Sequence, residues 1–366
     1  MKILITGGHV TPALAIIDEL LKDKHHILFV GRKYAFEHEQ TLSLEYKEIT
    51  KRAIKFVNLT TGRFTRIPSP KTLMSLFKVP LGFYQALQII KNERPEAVLS
   101  FGSYLAVPIV FWAWMFKINV YTHEQTITPG LANKIIAFLA KKIFVAFEET
   151  KIHFPKEKVI LTGNPVRSSV FKIINEPFKI NKNNTPVIYI TGGSLGSHSI
   201  NLHIKQILNK LLDKYILIHQ TGETAEYNDF VVLEKVRDSL PERSRANYWL
   251  KQHFLEEEIG YVYSVADLVV SRAGANTFFE LLALKKPAIF IPLPWSGNKE
   301  QQKHAVIFKD NGVGEIFSQS DTSDNLLKLL DKMIANLDHY ISNFINLEHL
   351  YEANATQIIL KEILNQ

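Results

Sequence analysis

One stretch in the second half of the chain places small residues and a carboxylate around the start of a helix. Ala266–Val270 has the pattern of a buried strand, and the small residues of Ser271–Ala275 turn the backbone into that helix. Apolar residues at helical spacing face a core, which leaves Thr277 and Glu280 together on another face. Free N–H groups at a helix start suit a phosphate, and a carboxylate one turn later can accept hydrogen bonds from ribose hydroxyls. The stretch therefore predicts a nucleotide-sugar site; the alternative is an ordinary β-turn-α-β unit in which Glu280 is solvated.

Two further segments of the second half belong to the same candidate site. Gly192–Gly196 follows a predicted strand, and Ser194 with nearby backbone N–H groups is suited to a diphosphate. After the strand at 287–292 comes a polar loop that contains Glu300, Gln301 and Gln302. Ligands of open α/β sheets bind at the carboxyl ends of the strands, where these loops lie. The glycine loop lacks the GKS/T of a P-loop, and no acidic residue about 20 positions on favours NAD.

The first half has its own small-residue loops at predicted strand ends. Thr6–His9 precedes a helix, and its glycines allow a pyrophosphate to approach the backbone. His9 is either a general base or phosphate partner, or a structural histidine. Ser100–Tyr104 ends another strand, so we expect this second loop to converge on the same anion. His123–Thr126 follows a third strand and is either part of that polar rim or a satisfied loop network.

No metal or cofactor is expected. The HExxH zinc motif is absent, no third ligand has suitable spacing, and no Asp-x-Asp pair ends a strand to hold a metal-bound diphosphate. The chain has no cysteine, which excludes disulfides and thiolate chemistry and fits a reducing compartment. Its N-terminus enters a strand directly without a signal-peptide pattern, so a cytoplasmic location is expected.

A basic segment accounts for the net charge of +7 in this 366-residue chain. Residues 49–92 contain no Asp or Glu, and their basic residues are interleaved with apolar ones. The basic residues are Lys51, Arg52, Lys55, Arg63, Arg66, Lys71, Lys78 and Lys91. This mixture favours an anionic bilayer surface, with a solvated face over ordinary core as the alternative. No recognition module accompanies the charge, so we expect no nucleic-acid partner. The apolar run 105–116 is too short to span a bilayer and is predicted to be a buried helix.

Strands and helices alternate through both halves, as in doubly wound α/β domains. In the first half the predicted strands are 2–6, 26–30, 97–100, 118–122 and 142–146, and the predicted helices are 12–21, 81–91, 105–116 and 129–140. Residues 156–183 break the pattern, and a new strand with a glycine turn restarts it after Pro186. Two similar domains that face one another are expected, and a last helix at 350–364 is expected to brace the first.

Seven motifs follow one another in order along the chain: GGHVTPALAI (7–16), SFGSYLAVP (100–108), HEQTITPGLANK (123–134), GNPVR (163–167), GGSLGSHSIN (192–201), SRAGANTFFE (271–280) and the Gln-rich loop. Together they resemble the MurG family of N-acetylglucosaminyltransferases. The resemblance implies an α/β GT-B fold of two Rossmann-like domains facing a cleft. It implies an acceptor and membrane-binding domain at 1–166, with 346–366 packing back onto it, and a donor domain at 167–345. The implied reaction is inverting transfer of GlcNAc from UDP-GlcNAc to lipid I, giving lipid II for peptidoglycan, at the cytoplasmic face of the bacterial plasma membrane.

The resemblance also assigns the site residues. His9 is the implied base, and the acceptor pyrophosphate is expected among Gly8, His9, Gly102, Ser103 and Tyr104. In the second domain Ser194 would meet the diphosphate, Leu255 the uracil through its backbone, Glu280 the ribose and Gln301 the sugar hydroxyls. The donor set is completed by Thr6, Gly7, Gly8, Thr126, Arg167, Ala275, Asn276, Thr277, Phe278 and Phe279. The chain departs from the family pattern at three places: Leu4-Ile5 replaces a Gly-Gly pair, Thr126 replaces an Asn, and Glu300 stands where the family tolerates Gln or His.

Three rival functions use the same features. One is a UDP-sugar transferase that acts on diacylglycerol or another polyprenyl lipid. A second is a UDP-GlcNAc 2-epimerase, which shares the two-domain fold and needs no membrane face. A third is a UDP-sugar binding protein without catalysis.

Overall fold

The computed structural model describes residues 1–34, 42–62, 77–223 and 226–365. The chain divides into two compact units: the first comprises residues 1–167 and those from 352 onward, and the second comprises 168–351.

The first unit is built on a seven-stranded parallel sheet with the order β3-β2-β1-β4-β5-β6-β7. Its strands are Lys2–Thr6 (β1), His26–Gly31 (β2), Lys55–Asn58 (β3), Ala97–Ser100 (β4), Asn119–Glu124 (β5), Lys142–Val145 (β6) and Val159–Leu161 (β7). Most inner strands are apolar on both faces because helices cover both sides of a parallel sheet. The described helices of this unit are Val10–Lys22 (α1), Leu44–Lys51 (α2), Lys78–Glu93 (α3), Ala106–Met115 (α4), Leu131–Leu139 (α5) and, from the end of the chain, Ala355–Leu364.

The second unit repeats this plan with a six-stranded parallel sheet in the order β10-β9-β8-β11-β12-β13. Its strands are Val187–Thr191 (β8), Ile216–Gln220 (β9), Tyr248–Lys251 (β10), Leu268–Ser271 (β11), Ala288–Phe290 (β12) and Gly314–Ile316 (β13). Its described helices are His198–Leu212 (α6), Asp229–Asp238 (α7), Glu242–Arg245 (α8), Glu256–Val265 (α9), Ala275–Ala283 (α10), Glu300–Asp310 (α11), Ser323–Ile334 (α12) and Leu337–Ser342 (α13). The terminal helix Ala355–Leu364 is α14.

Each sheet reverses its strand order at one point, and both reversals involve glycine loops. In the first unit β1 pairs with both β2 and β4, and in the second β8 pairs with both β9 and β11. At such a switch point the connections leave in opposite directions and open a crevice at the carboxyl ends of the strands. The loops after β1, β4, β8 and β11 therefore form the two crevices in which a ligand is expected.

Residues 156–183, where the predicted alternation breaks, contain β7, the last strand of the first sheet, which the sequence pattern did not predict. Two expectations about the end of the chain are wrong in detail. The last helix begins at Ala355 and not at Leu350, since Asn343–Leu350 is a 3-10 helix of the second unit. The return to the first unit thus starts at 352 and not at 346. There α14 packs its buried Ile359 and Ile363 into the core that includes α1.

Candidate functional site

The two glycine loops of the first unit touch, as expected from their places at neighbouring strand ends. A Cβ on Gly8 would lie 2.9 Å from the carbonyl oxygen of Phe101 and 3.0 Å from that of Gly102. Gly8 and Gly102 have φ values of 151° and 81°, and Ser103 follows at 72°. Only glycine or a residue with a small side chain allows the two loops to come this close. The backbones of both loops therefore lie side by side at the ends of β1 and β4. Thr6 adds a buried hydroxyl that has no hydrogen-bond partner among the described residues.

His9 is the N-cap residue of α1 and its side chain makes no capping hydrogen bond. Burial lowers the pKa of His9, while the carboxylate of Glu124 opposes that shift. His123 lies close by; burial lowers its pKa to about 4, and its Nε2 is 3.1 Å from the carbonyl oxygen of Gly163. His9 is therefore uncharged at neutral pH and is able to accept a proton.

Glu124 organises the polar loop that follows β5. Its Oε1 accepts hydrogen bonds from the N–H and the hydroxyl of Thr126, at 3.0 and 2.7 Å. Its Oε2 accepts from Asn133 Nδ2 at 2.9 Å and from Gly130 N–H at 3.2 Å. Thr126, which is assigned to the donor, is buried, and its hydroxyl also lies 2.9 Å from the carbonyl oxygen of Thr128, so the single hydroxyl proton is shared between the two acceptors. The satisfied-network interpretation of residues 123–126 is thus the one this geometry favours.

Glu45 is a residue of this crevice that the sequence analysis missed. Its carboxylate reaches from α2 to the ends of β1 and β2, where Cβ atoms on Gly7 and Gly31 would collide with it. Its Oε1 accepts a 2.5 Å hydrogen bond from Arg32 N–H. Burial raises the pKa of Glu45, and hydrogen bonds from the N–H groups of Arg32 and Gly8 oppose the shift. The glycines at positions 7 and 31 were the available signal, because they mark where another group lies against the backbone.

In the second unit Gln220 fixes the loop at Gly192–Gly196. Its Nε2 donates to the Thr191 hydroxyl and to the Gly193 carbonyl, each at 3.0 Å, and its Oε1 accepts from Phe254 N–H at 2.9 Å. Gly196 packs against the loop after β9, since a Cβ on it would lie 2.0 Å from the carbonyl oxygen of Thr221. The loop is therefore fixed by Gln220 and by the loop after β9, and half-buried Ser194 lies at its turn.

The start of α10 carries polar groups suited to a ligand. Gly274 is its N-cap, and Ala275 is the first helical residue. The side-chain oxygens of Ser271 and Asn276 are buried and have no hydrogen-bond partner among the described residues. A ligand with hydroxyl or amide groups can satisfy such oxygens, while the first N–H groups of the helix suit phosphate oxygens.

Two residues assigned to the donor, Phe278 and Phe279, prove to be core residues. Their side chains are 0% and 1% exposed, because both rings lie on the buried side of α10. Phe278 stacks on His304 with 4.8 Å between ring centroids. Both rings are therefore unavailable to a ligand, and any contact that these two residues make with the donor is through their backbone.

Glu280 is buried, so the alternative in which it is a solvated helix residue is wrong. The residue is 4% exposed, and its Oε2 accepts a 2.9 Å hydrogen bond from the hydroxyl of Tyr263 on α9. A buried carboxylate is costly unless hydrogen bonds compensate it. Thr277, one turn before it, is half-buried.

Arg272 is the second residue that the sequence analysis missed. Its guanidinium donates to the hydroxyls of Ser197 and Ser199 at 2.8 Å each and to Gln319 Oε1 at 3.0 Å. It also donates to the Ile291 carbonyl at the end of β12 at 2.8 Å. Burial lowers the pKa of Arg272 to about 10, so it stays charged at neutral pH. The guanidinium of Arg272 thereby joins the loops after β8, β11 and β12. Arg272 is part of the SRAGAN motif, but its position in the sequence does not indicate these hydrogen-bond partners.

Three other assigned residues have partly committed polar groups. Leu255 caps α9: its N–H donates to Glu258 Oε2 at 2.8 Å, and its carbonyl accepts from the N–H groups of Glu258 and Ile259 at 3.0 and 3.1 Å. Gln301 uses its carboxamide oxygen to accept from Leu293 N–H at 2.9 Å. Arg167 is the half-buried last residue of the continuous part of the first unit.

Several cations of the basic segment are engaged in ion pairs within the first unit. Arg52 pairs with Asp18 and Glu48, and Lys55 pairs with Glu93. Arg63, Arg66 and Lys71 lie outside the described residues. Apolar side chains are nevertheless exposed on the helices of this face, namely Phe77, Leu81, Tyr84, Trp114, Met115, Phe116, Leu131, Ile135 and Phe138. The run 105–116 forms α4, of which the first part is buried and the end exposed. Of the helices in the described ranges, none is long and apolar enough to cross a bilayer.

Comparison with known proteins places both units in one enzyme family. Residues 6–145 match the glycosyltransferase family 28 N-terminal domain, and residues 187–355 match the glycosyltransferase family 28 C-terminal domain. A relative from Clostridium botulinum (strain Kyoto / Type A2) is 35% identical over 351 residues, 93% of each chain. It is named UDP-N-acetylglucosamine--N-acetylmuramyl-(pentapeptide) pyrophosphoryl-undecaprenol N-acetylglucosamine transferase.

Solved structures share the fold. Acinetobacter baumannii MurG aligns with a TM-score of 0.69 at 23% identity, covering 100% of both chains. A UDP-GlcNAc 2-epimerase from Neisseria meningitidis bound to UDP-GlcNAc aligns with a TM-score of 0.65 at 17% identity, again over 100% of both chains. At these identities the likeness concerns the fold alone: two Rossmann-like α/β domains of the GT-B class.

Proposed function

The chain belongs to the MurG family of N-acetylglucosaminyltransferases, and from that membership we propose that it transfers GlcNAc from UDP-GlcNAc to lipid I. Lipid I is undecaprenyl-pyrophosphoryl-MurNAc-pentapeptide, and the product is lipid II of peptidoglycan synthesis. The observation that carries the proposal is the pair of switch-point crevices, one in each unit, both lined by glycine loops.

The second unit is proposed to hold the donor. The Gly192–Gly196 loop and the start of α10 offer N–H groups to the diphosphate, and Ser194 adds a hydroxyl. Glu280, held by Tyr263, accepts hydrogen bonds from the ribose hydroxyls. The backbone of Leu255 and the amide NH2 of Gln301 are the groups proposed for uracil and sugar.

The first unit is proposed to hold the acceptor and to supply the base. The acceptor pyrophosphate lies against Gly8, Gly102 and Ser103, where the two loops meet. His9, neutral at physiological pH, accepts the proton of the attacking sugar hydroxyl as the C–O bond to the anomeric carbon forms and the bond to UDP breaks. Attack from the face opposite UDP inverts the anomeric carbon. Backbone N–H groups and the start of α10 stabilise the charge of the leaving diphosphate.

We further propose that the exposed apolar side chains of α3, α4 and α5, with neighbouring lysines, rest on the anionic cytoplasmic face of the bacterial plasma membrane. Each basic group near such a surface adds about 1 kcal/mol of attraction, and buried apolar area adds to it. A lipid acceptor embedded in that membrane then reaches the first unit without leaving the bilayer.

A transfer assay with radiolabelled UDP-GlcNAc and purified lipid I tests the proposal. Label in the lipid fraction, at the mobility of lipid II, is the expected result. Label that appears only when diacylglycerol or another polyprenyl lipid replaces lipid I would move the enzyme to a different acceptor. Conversion of UDP-GlcNAc to its 2-epimer without any acceptor would show an epimerase instead.

A further inference from the structure

Two cavities on the first unit share a wall next to the acceptor loop. One, of about 190 Å³, lies at the ends of β2 and β3 and is lined mainly by polar and charged residues, so we call it the polar cavity. The other, of about 230 Å³, is apolar and lies among α3, α4 and α5. Tyr104, the residue after Ser103, lines both cavities, and so does Thr61.

The polar cavity is cationic. Arg32, Lys33 and Lys78 line it, and none of its described lining residues is acidic. The Arg32 guanidinium lies 5.8 Å from the centroid of the Tyr104 ring, so it is held against the shared wall. The backbone N–H of Lys33 donates to Asn58 Oδ1 at 2.9 Å, which fixes the loop that presents these charges. Three cations around one small space suit a phosphate group.

The apolar cavity has a firm inner wall and an open outer side. A Cβ on Gly82 of α3 would lie 2.4 Å from Thr61, so helix and loop are in direct contact. Trp112 Nε1–H donates to the Phe83 carbonyl at 2.8 Å and ties α4 to α3. On the outer side Leu131 and Ile135 of α5 are 66% and 43% exposed.

We propose that the two cavities form one subsite for the junction between phosphate and hydrocarbon in a prenyl pyrophosphate. The phosphate nearest the lipid lies against Arg32, Lys33 and Lys78, and the first isoprene units occupy the apolar cavity. This inference rests on the proposed function and names where the lipid end of its acceptor is held.

Size and position favour this occupant over a two-chain phospholipid. An apolar cavity of roughly 150 Å³ holds benzene, so about 230 Å³ takes the start of one branched chain and not two full acyl chains. The subsite also begins at Tyr104, directly after the loop proposed for the acceptor pyrophosphate. A chain that starts there continues over exposed Leu131 and Ile135 toward the surface.

The hydrocarbon half is tested with water-soluble acceptors and no vesicles, so that membrane binding does not contribute. One acceptor carries two isoprene units on the MurNAc pyrophosphate, and the other carries a methyl group. Ile135→Glu places a charge in the apolar cavity; Phe138→Glu, on the same helix at a position 77% exposed and outside the cavity lining, is the matched control. We expect Ile135→Glu to raise KM for the prenyl acceptor about tenfold, to leave KM for the methyl acceptor and kcat unchanged, and Phe138→Glu to behave as wild type.

The phosphate half is tested with Lys33→Gln, against Lys91→Gln as a control that lines a different cavity. Lys33→Gln should raise KM for both acceptors about threefold to tenfold and reduce the salt dependence of KM, with UDP affinity unchanged.

The outcomes separate the two proposals. Equal KM of the wild type for both acceptors, or equal effects of Ile135→Glu and Phe138→Glu, would overturn the hydrocarbon half while the transferase function stands. Equal effects of Lys33→Gln and Lys91→Gln would overturn the phosphate half. Failure of the wild type to glycosylate either acceptor would overturn the proposed function and, with it, this subsite.

Discussion

His9 combines a position at the meeting of two glycine loops with a pKa suited to accepting a proton. Burial lowers its pKa, and Glu124, itself engaged by the Thr126, Gly130 and Asn133 donors, opposes the shift. The imidazole is therefore neutral at pH 7 and still close to a carboxylate that stabilises the imidazolium formed in the reaction.

Replacing His9 with alanine should lower kcat about 10²-fold to 10⁴-fold while UDP-GlcNAc still binds. In the wild type the acidic limb of kcat/KM against pH should fall below the ordinary histidine value of 6.5, since a lowered pKa keeps the base neutral to lower pH. Steady-state kinetics from pH 5 to 8 measures both. Full activity of His9→Ala would mean that the His9 side chain is not the base.

Glu280→Gln should weaken donor binding. The substitution keeps the size of the side chain and the Tyr263 contact but removes the negative charge proposed to meet the ribose, so KM for UDP-GlcNAc should rise about tenfold with kcat less affected. Glu242→Gln, at an exposed position of α8, is the charge-matched control. Titration of UDP into both variants should give the same ranking, and equal affinities would remove Glu280 from the site.

The sequence shows residue types and their spacing, but it does not show which side chains form hydrogen bonds with one another. The glycine loops and His9 were identifiable from their places after predicted strands, and Glu280 from its position in the first turns of the helix after β11. Arg272 and Glu45 were not, because their partners lie on elements distant in the chain.

At the scale of elements, the loops after β8 and β9 are packed backbone against backbone. Gly193 and Gly196 both have left-handed φ values, 88° and 84°. A Cβ on Gly193 would meet no atom within 4 Å, whereas one on Gly196 would lie 2.0 Å from Thr221 O. A side chain would therefore be strained by the left-handed backbone at both positions, but only at Gly196 would it also collide with the neighbouring loop.

This difference predicts unequal effects of two matched substitutions. Gly193→Ala should cost about 1 kcal/mol of stability, from the left-handed conformation alone. Gly196→Ala should cost several-fold more and reduce UDP affinity, because the loop must move away from β9. Denaturant melts and UDP titrations of both variants measure this. Similar losses in the two would show that the packing of the loop does not matter.

The alternating pattern was sufficient to predict most first-half elements to within a few residues, because inner strands of a parallel sheet are continuous apolar runs. The three-residue strand β7 was missed, since Val159–Leu161 is too short and too exposed to stand out. The 350–364 helix was placed too early because periodicity continues through the 3-10 helix. There the chain passes Tyr351 in an extended conformation, and Glu352 packs against Gly163.

At the scale of the whole molecule, apolar exposure on α3 should decide membrane binding. Phe77 and Tyr84 are 78% and 61% exposed. The double change Phe77→Ser and Tyr84→Ser should weaken sedimentation with anionic vesicles at least tenfold, as each buried aromatic side chain contributes about 1.5–3 kcal/mol. Trp295→Ser, 73% exposed in the second unit, should bind vesicles as wild type does. If the double variant and Trp295→Ser weakened vesicle binding equally, the proposed membrane face would be wrong.

Three buried imidazoles make stability depend on pH. Burial lowers the pKa of His123 and His304 to about 4 and that of His219 to about 3; His219 also bonds Tyr248 and Asn201. The unfolded chain binds protons below pH 6.5 while these folded histidines stay neutral. The free energy of unfolding should therefore fall as pH drops from 6.5 toward 4, by about 1.4 kcal/mol per pH unit for each imidazole. Denaturant melts at pH 7 and 5 measure the loss, and unchanged stability at pH 5 would contradict it.

The account depends most on where the donor binds. A crystal structure of the protein with UDP-GlcNAc tests this directly. We predict the diphosphate against the N–H groups of Gly192–Gly196 and the start of α10, with a ribose hydroxyl within hydrogen-bonding distance of Glu280. A nucleotide bound in the first unit, or a divalent cation bridging its phosphates in the second, would contradict the account.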